Sequence, residues 1–201
     1  MSTIIEEERF ESFEEENMKK AAVLINDGFE ELEMIGPVDL MVRAGTDVDL
    51  VCPKGQTEVT GRSGMTFDDV KPMEDYDFSD IDLLLLPGGG HFQSLEADPK
   101  VKEEIIKAYN NPDQIVAAIC ASPTILGRMG LLKDRDYTCF LSMNEDFGGR
   151  FNDQDYAVTD GDLVTGRSAA AAVDFGLAVL KALYGEEKAD EIAQSIYYQK
   201  N

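Results

Sequence analysis

Apolar residues along the chain fall into short, nearly unbroken runs separated by stretches with helical spacing. Ala21-Ala22-Val23-Leu24-Ile25, the stretch 48–52, the stretch 81–86 and Ile115-Val116-Ala117-Ala118-Ile119 are such runs. Their length and their branched or small side chains predict strands buried on both faces. Between them, Leu32, Ile35, Val38, Leu40 and Met41 recur at helical spacing over 31–44, and Gly45 ends that helix. Further helices are expected over 101–109, 124–129, 169–183 and 186–198. Strand and helix alternate, which predicts an α/β fold: a mostly parallel sheet with helices on both faces. Residues 53–69 read as a hairpin at a sheet edge, 137–140 as a short strand, and 156–165 as a hairpin turning at Asp160-Gly161-Asp162. With no repeat and no linker, residues 18–201 are expected to form one domain.

Residues 1–17 break this pattern. They hold seven glutamates and one basic residue, Arg9, and are expected to form an acidic extension, with Met18 as an alternative natural start. The whole chain has 40 acidic and 18 basic residues and a formal charge of −22. That field repels phosphate backbones and anionic lipid, so neither nucleic acid nor a membrane surface is an expected partner. Three cysteines, Cys52, Cys120 and Cys139, show no C-x-x-C pairing. Without a secretory leader they point to a reducing cytoplasm rather than a disulfide framework. The lack of a Cys/His ligand cluster predicts no metal, and no cofactor is expected.

The candidate chemistry gathers at strand ends. Cys120 follows Ile119 directly and is followed by small residues and Pro123, a strand-to-helix turn of the kind called a nucleophile elbow. Such a turn lifts the side chain to the carboxyl edge of the sheet, where open α/β sheets bind ligands. The helix N-terminus behind it is expected to favour the thiolate. Pro87-Gly88-Gly89-Gly90 follows a second central strand, so its amides reach the same edge. Gly89 with Ala121 makes a candidate oxyanion hole, and Gly88 lines the same pocket. Glu33 lies just inside the helix that follows the first strand, in Gly28-Phe29-Glu30-Glu31-Leu32-Glu33. A carboxyl there can stay protonated beside a thiolate, or act as general acid and base. Glu30 and Glu31 read as plain stabilisation of a helix N-terminus. His91 is the only histidine and a pocket candidate through its place after the glycine run.

Taken in order, Gly28 to Glu33, Pro37-Val38-Asp39, Arg43-Ala44-Gly45, Leu86-Pro87-Gly88-Gly89 and Ala117-Ala118-Ile119-Cys120-Ala121-Ser122-Pro123-Thr124 resemble the ThiJ/PfpI superfamily. The resemblance is closest to the branch of the Parkinson-disease-associated protein deglycase. It implies a flavodoxin-like three-layer fold, Cys120 as an oxidation-prone nucleophile, Glu33 as its protonated partner, and Gly89 and Ala121 as oxyanion-hole donors. It places Arg62 near the pocket and implies a homodimer. The activities it implies are glyoxalase III, deglycation of early glycation adducts, peptidase activity and redox-responsive chaperoning, acting on small aldehydes or glycated substrates. The chain departs from the pattern at Phe140, where a histidine is common, and at Ser122, where glycine is usual. A Cys-His-acid triad is therefore not expected. The leading expectation is conversion of methylglyoxal to lactate through a Cys120 hemithioacetal, with redox sensing through Cys120 oxidation as the alternative and amide hydrolysis a weaker one.

Overall fold

The structure, a computed structural model, describes residues 18–199; the expectations for residues 1–17 lie outside them. Strands β1 (Lys20–Leu24), β2 (Asp47–Cys52), β6 (Leu83–Leu86), β7 (Ile115–Ile119), β10 (Ala157–Asp160) and β11 (Leu163–Gly166), with β5 (Lys71–Pro72), make one seven-stranded sheet in the order β10-β11-β7-β6-β1-β2-β5. Every pairing is parallel except β10 with β11, a hairpin whose turn holds Gly161 at φ +61°. The five parallel strands β2, β1, β6, β7 and β11 lie in the doubly wound order of a flavodoxin-like sheet. In that order the direction of winding reverses between β1 and β6, which leaves a crevice at their carboxyl ends.

Side chains alternate across the sheet, and both faces are buried. Ala21, Val23, Leu83, Leu85, Ala117 and Ile119 face one core; Ala22, Leu24, Leu84, Leu86, Val116 and Ala118 face the other. One register row runs Leu50–Val23–Leu85–Ala117–Val164. The first core is closed by α1 (Glu31–Arg43), α5 (Ala172–Tyr184) and α6 (Glu186–Ser195). The second is closed by α2 (Phe92–Ala97), α3 (Pro99–Asn110) and α4 (Pro123–Arg128). This is the three-layer arrangement expected from the alternation of strands and helices. No helix among the described residues is long and apolar enough to cross a membrane.

Two expectations are corrected. The 53–69 excursion forms a hairpin of β3 (Val59–Thr60) and β4 (Thr66–Phe67), but it is a separate ribbon over the carboxyl edge, and β5 is the sheet's edge strand. The strand over 137–140 stops at Tyr137, where β8 (Asp136–Tyr137) pairs with β9 (Arg150–Phe151). Its next amides are taken elsewhere: Thr138 N–H donates to Thr165 Oγ1 at 2.9 Å and Phe140 N–H to the Cys120 carbonyl at 2.8 Å.

Helices α1 and α5 approach closely because glycine faces the partner on each. A Cβ at Gly176 would lie 2.6 Å from Leu40 Cδ1 and 3.0 Å from Pro37 Cα, part of the α1 backbone. Since the backbone cannot yield as a side chain can, Gly176→Val is expected to destabilise the protein by about 1–3 kcal/mol in urea unfolding. Unchanged stability would mean that this helix pair is less tightly packed.

Candidate active site

Three connections converge on the crevice between β1 and β6. The chain leaves β7 at Cys120 with φ +65°, a left-handed conformation that costs a non-glycine residue roughly 1–2 kcal/mol. The strain is held by bonds on either side: Cys120 N–H donates to the Gly166 carbonyl at 2.9 Å, and its own carbonyl accepts from Phe140. Pro123 then opens α4, as the elbow reading requires. Ser122 is fully buried and donates its hydroxyl to the Pro87 carbonyl at 2.5 Å, tying the elbow to the glycine loop.

Glu33 comes from the first turn of α1, whose start is capped by Glu30: its Oε2 accepts from Glu33 N–H at 2.9 Å. Glu33 is 1% exposed, and its Oε2 has no protein hydrogen-bond partner of ordinary geometry. The groups against it are the Cys120 thiol and the Gly88 backbone; a Cβ at Gly88 would collide with Glu33 Oε2 and come within 2.7 Å of Cys120 Cβ. Only glycine lets the carboxyl and the sulfur close over the loop. Burial pushes the Glu33 carboxyl up to about 7, aided by the charge of Glu30 and opposed by hydrogen bonds from Cys120 and Gly88 and by the charge of Arg62.

Burial likewise pushes the Cys120 thiol up, and the Glu33 charge adds to it, while the Ala121 amide pulls it down. The expected thiolate stabilisation by the N-terminus of α4 works against that burial. The two groups titrate as a pair, since a charge on Glu33 opposes ionisation of Cys120 while the thiol's hydrogen bond favours the Glu33 carboxylate.

The remaining sequence candidates divide. Gly89 has φ +96° and bridges to Phe29, and a Cβ there would sit 2.8 Å from the Gly28 carbonyl. Its amide donates to no other group among the described residues, so together with Ala121 it offers two donors at the crevice. Arg62 lies at the tip of the β3–β4 ribbon, its amide bonded to the Phe29 carbonyl at 2.9 Å and its side chain exposed.

His91 is turned away from this chemistry. It is 2% exposed, with Nδ1 accepting from Asn26 N–H at 3.2 Å and Nε2 2.9 Å from the Pro87 carbonyl. Both ring nitrogens are engaged by backbone, so it braces the loops behind the pocket. Glu31 was legible only as a helix-end charge, yet it is 3% exposed and accepts from Ser63 N–H at 2.6 Å. Phe140 is 41% exposed beside the elbow, and Cys139 is a fully buried core thiol.

These features belong to a known class. A model of the DJ-1/PfpI family matches residues 19–182, and the chain belongs to that family. It is 27% identical over 190 residues to protein dj-1beta of Drosophila melanogaster, covering 91% of this chain and 99% of the fly protein. It is 31% identical over 179 residues to the Parkinson disease protein 7 homolog of zebrafish, Danio rerio, covering 87% and 94%. The crystal structure of Drosophila DJ-1beta superposes with a TM-score of 0.81 at 27% identity, covering 91% of this chain and all of that one. A DJ-1 superfamily protein from Salmonella typhimurium gives 0.82 at 28% identity, with the same coverage.

The buried histidine generates a pH prediction. Desolvation lowers His91 to about 4, against an ordinary 6.5, so the unfolded chain binds its proton first as pH falls. Its contribution is whole above pH 6.5 and is lost between 6.5 and 4, by about 3 kcal/mol. Across that window wild type should lose stability relative to His91→Phe in parallel denaturant titrations. Identical slopes would contradict the assignment.

Proposed function

We propose that the protein is a cofactor-independent, cysteine-dependent enzyme of small reactive carbonyls, of the glyoxalase III or deglycase type. The observation that carries this reading is the Glu33 carboxyl, poised near neutrality by burial and held against the Cys120 thiol. General acid–base chemistry at neutral pH needs such a group within reach of the reacting carbon.

With methylglyoxal, the Cys120 sulfur adds to the aldehyde carbon and the carbonyl oxygen gains the thiol proton, giving a hemithioacetal. The Gly89 and Ala121 amides stabilise charge on that oxygen. Glu33 removes the proton from C1 and returns one to C2, which converts the adduct to a lactoyl thioester without any change in net oxidation state. Water then cleaves the C–S bond, releasing lactate and the free thiol. Proton transfer uses one carboxyl throughout, so the missing histidine at Phe140 leaves the sequence of steps intact.

Amide hydrolysis is disfavoured, because it calls for a histidine base and the ring of His91 is engaged on both nitrogens. The redox-sensing alternative uses the same sulfur, with oxidation of Cys120 to sulfinate in place of addition to a carbonyl. The reading further includes a cytoplasmic setting, consistent with three free cysteines, and a homodimer, consistent with exposed Leu32 and Ile35 on α1.

Lactate formation from methylglyoxal tests the proposal. Wild type should turn over, Cys120→Ala should be inactive, and Glu33→Gln should lose about 10²–10⁴-fold in kcat. Turnover surviving in Cys120→Ala would refute it. Absence of lactate with ready conversion of Cys120 to sulfinate by peroxide would favour the sensor.

A further inference from the structure

Ser122 is the residue before α4, a place where serine ordinarily caps a helix by accepting from its first amides, yet it makes no such bond. It is fully buried, and its hydroxyl donates instead to the Pro87 carbonyl, 35 residues back in the chain. His91, at the start of α2, supplies a second donor to the same oxygen. Its Nδ1 accepts from Asn26 N–H, so the proton of the neutral ring sits on Nε2, 2.9 Å from the Pro87 carbonyl. One carbonyl therefore takes two buried donors from two different connections. Glycine, which the family resemblance leads one to expect at position 122, would bring no hydroxyl.

A carbonyl fixed in this way also fixes the amide on the far side of its peptide. The bond is planar and trans, so the Pro87 carbonyl and the Gly88 N–H point in opposite directions. The next peptide is held likewise, because the Gly88 carbonyl accepts from Glu30 N–H at 2.9 Å. With both carbonyls turned back into the protein, the amides of Gly88 and Gly89 are left for the crevice. Gly88 is the one packed on the reacting groups: a Cβ there would collide with Glu33 Oε2 and lie 2.7 Å from Cys120 Cβ.

We propose that Ser122 is a positioning residue: together with His91 it clamps the Pro87–Gly88 peptide so that the Gly88 amide faces the Glu33 carboxyl. The amide stabilises the carboxylate against the burial that favours its neutral form. Acting through the loop, the Ser122 hydroxyl thereby sets how readily Glu33 ionises. The consequence for turnover rests on the carbonyl-enzyme reading, but the clamp is testable without it.

Carbon-13 NMR of the side-chain carboxyls, with the Glu33 signal identified by its absence in Glu33→Gln, reads the clamp without substrate. In Ser122→Ala the Glu33 midpoint is expected about 0.5–1 pH unit above wild type, an ionisation weaker by about three- to tenfold. Thr124→Val is the control. It removes another fully buried hydroxyl from the elbow, one that donates to the Ala121 carbonyl at 2.6 Å, and should leave the midpoint in place. In wild type, where no variant has to fold, the Gly88 amide proton is expected to move downfield with the same midpoint as Glu33. Under the carbonyl reading, the acid limb of kcat for methylglyoxal moves up in Ser122→Ala with the NMR midpoint. An unmoved midpoint in Ser122→Ala, an equal move in Thr124→Val, or a Gly88 amide that does not follow Glu33 would overturn the clamp. Absence of turnover with the midpoint still shifted would refute the reaction and leave the clamp standing.

Discussion

A carboxyl and a thiol buried against each other cannot both carry charge cheaply, and much of this structure is arranged around that constraint. Glu33 and Cys120 arrive from strands on either side of β6, over a glycine loop whose missing side chains let them meet. Desolvation raises both; a charge on Glu33 raises Cys120 further, while the hydrogen bond from Cys120 lowers Glu33, so the ionisation of one is written into the reactivity of its partner. A carboxyl near neutrality in contact with sulfur is costly to keep, and the surrounding bonds are what hold it there. Pro87's carbonyl accepts from both His91 and Ser122, and His91 Nδ1 accepts from Asn26 N–H, joining three loops behind the pair.

The doubly wound topology supplies the rest. Because β1, β6 and β7 are parallel neighbours in register, their following residues emerge at one edge. The reversal of winding between β1 and β6 opens the space into which Glu33 and Gly88 project. The β3–β4 ribbon then closes over that edge and brings Arg62 with it. Membership of the DJ-1/PfpI family accords with this layout, and the chemistry follows from the groups themselves.

Much of this was legible in the sequence, for physical reasons. Runs such as Ile115–Ile119 are too apolar and too short for anything but a buried strand, and the elbow follows from a cysteine placed between such a run and Pro123. Glu33 could be picked out because it sits in the first turn of the helix that follows the first strand. The failures came where long-range contacts decide. The surroundings of Cys120 include a carboxyl from 87 residues away in the chain, which the local elbow pattern does not reveal. The burial of Glu31 depends on the ribbon folding back onto it, and nothing in a Glu-rich helix start distinguishes it from Glu30. His91 reads as a pocket residue by proximity to Gly90, but its ring is claimed by Asn26 and Pro87.

The mutual ionisation of Glu33 and Cys120 is the central claim, and the pH dependence of Cys120 alkylation by iodoacetamide tests it most directly. Below about pH 7 Glu33 is protonated, and wild type and Glu33→Gln should react at similar rates. Above it, the wild-type carboxylate opposes the thiolate, so Glu33→Gln should react several-fold faster and show a lower Cys120 pKa. Superimposable profiles, or a slower variant at high pH with the fold intact, would contradict the account.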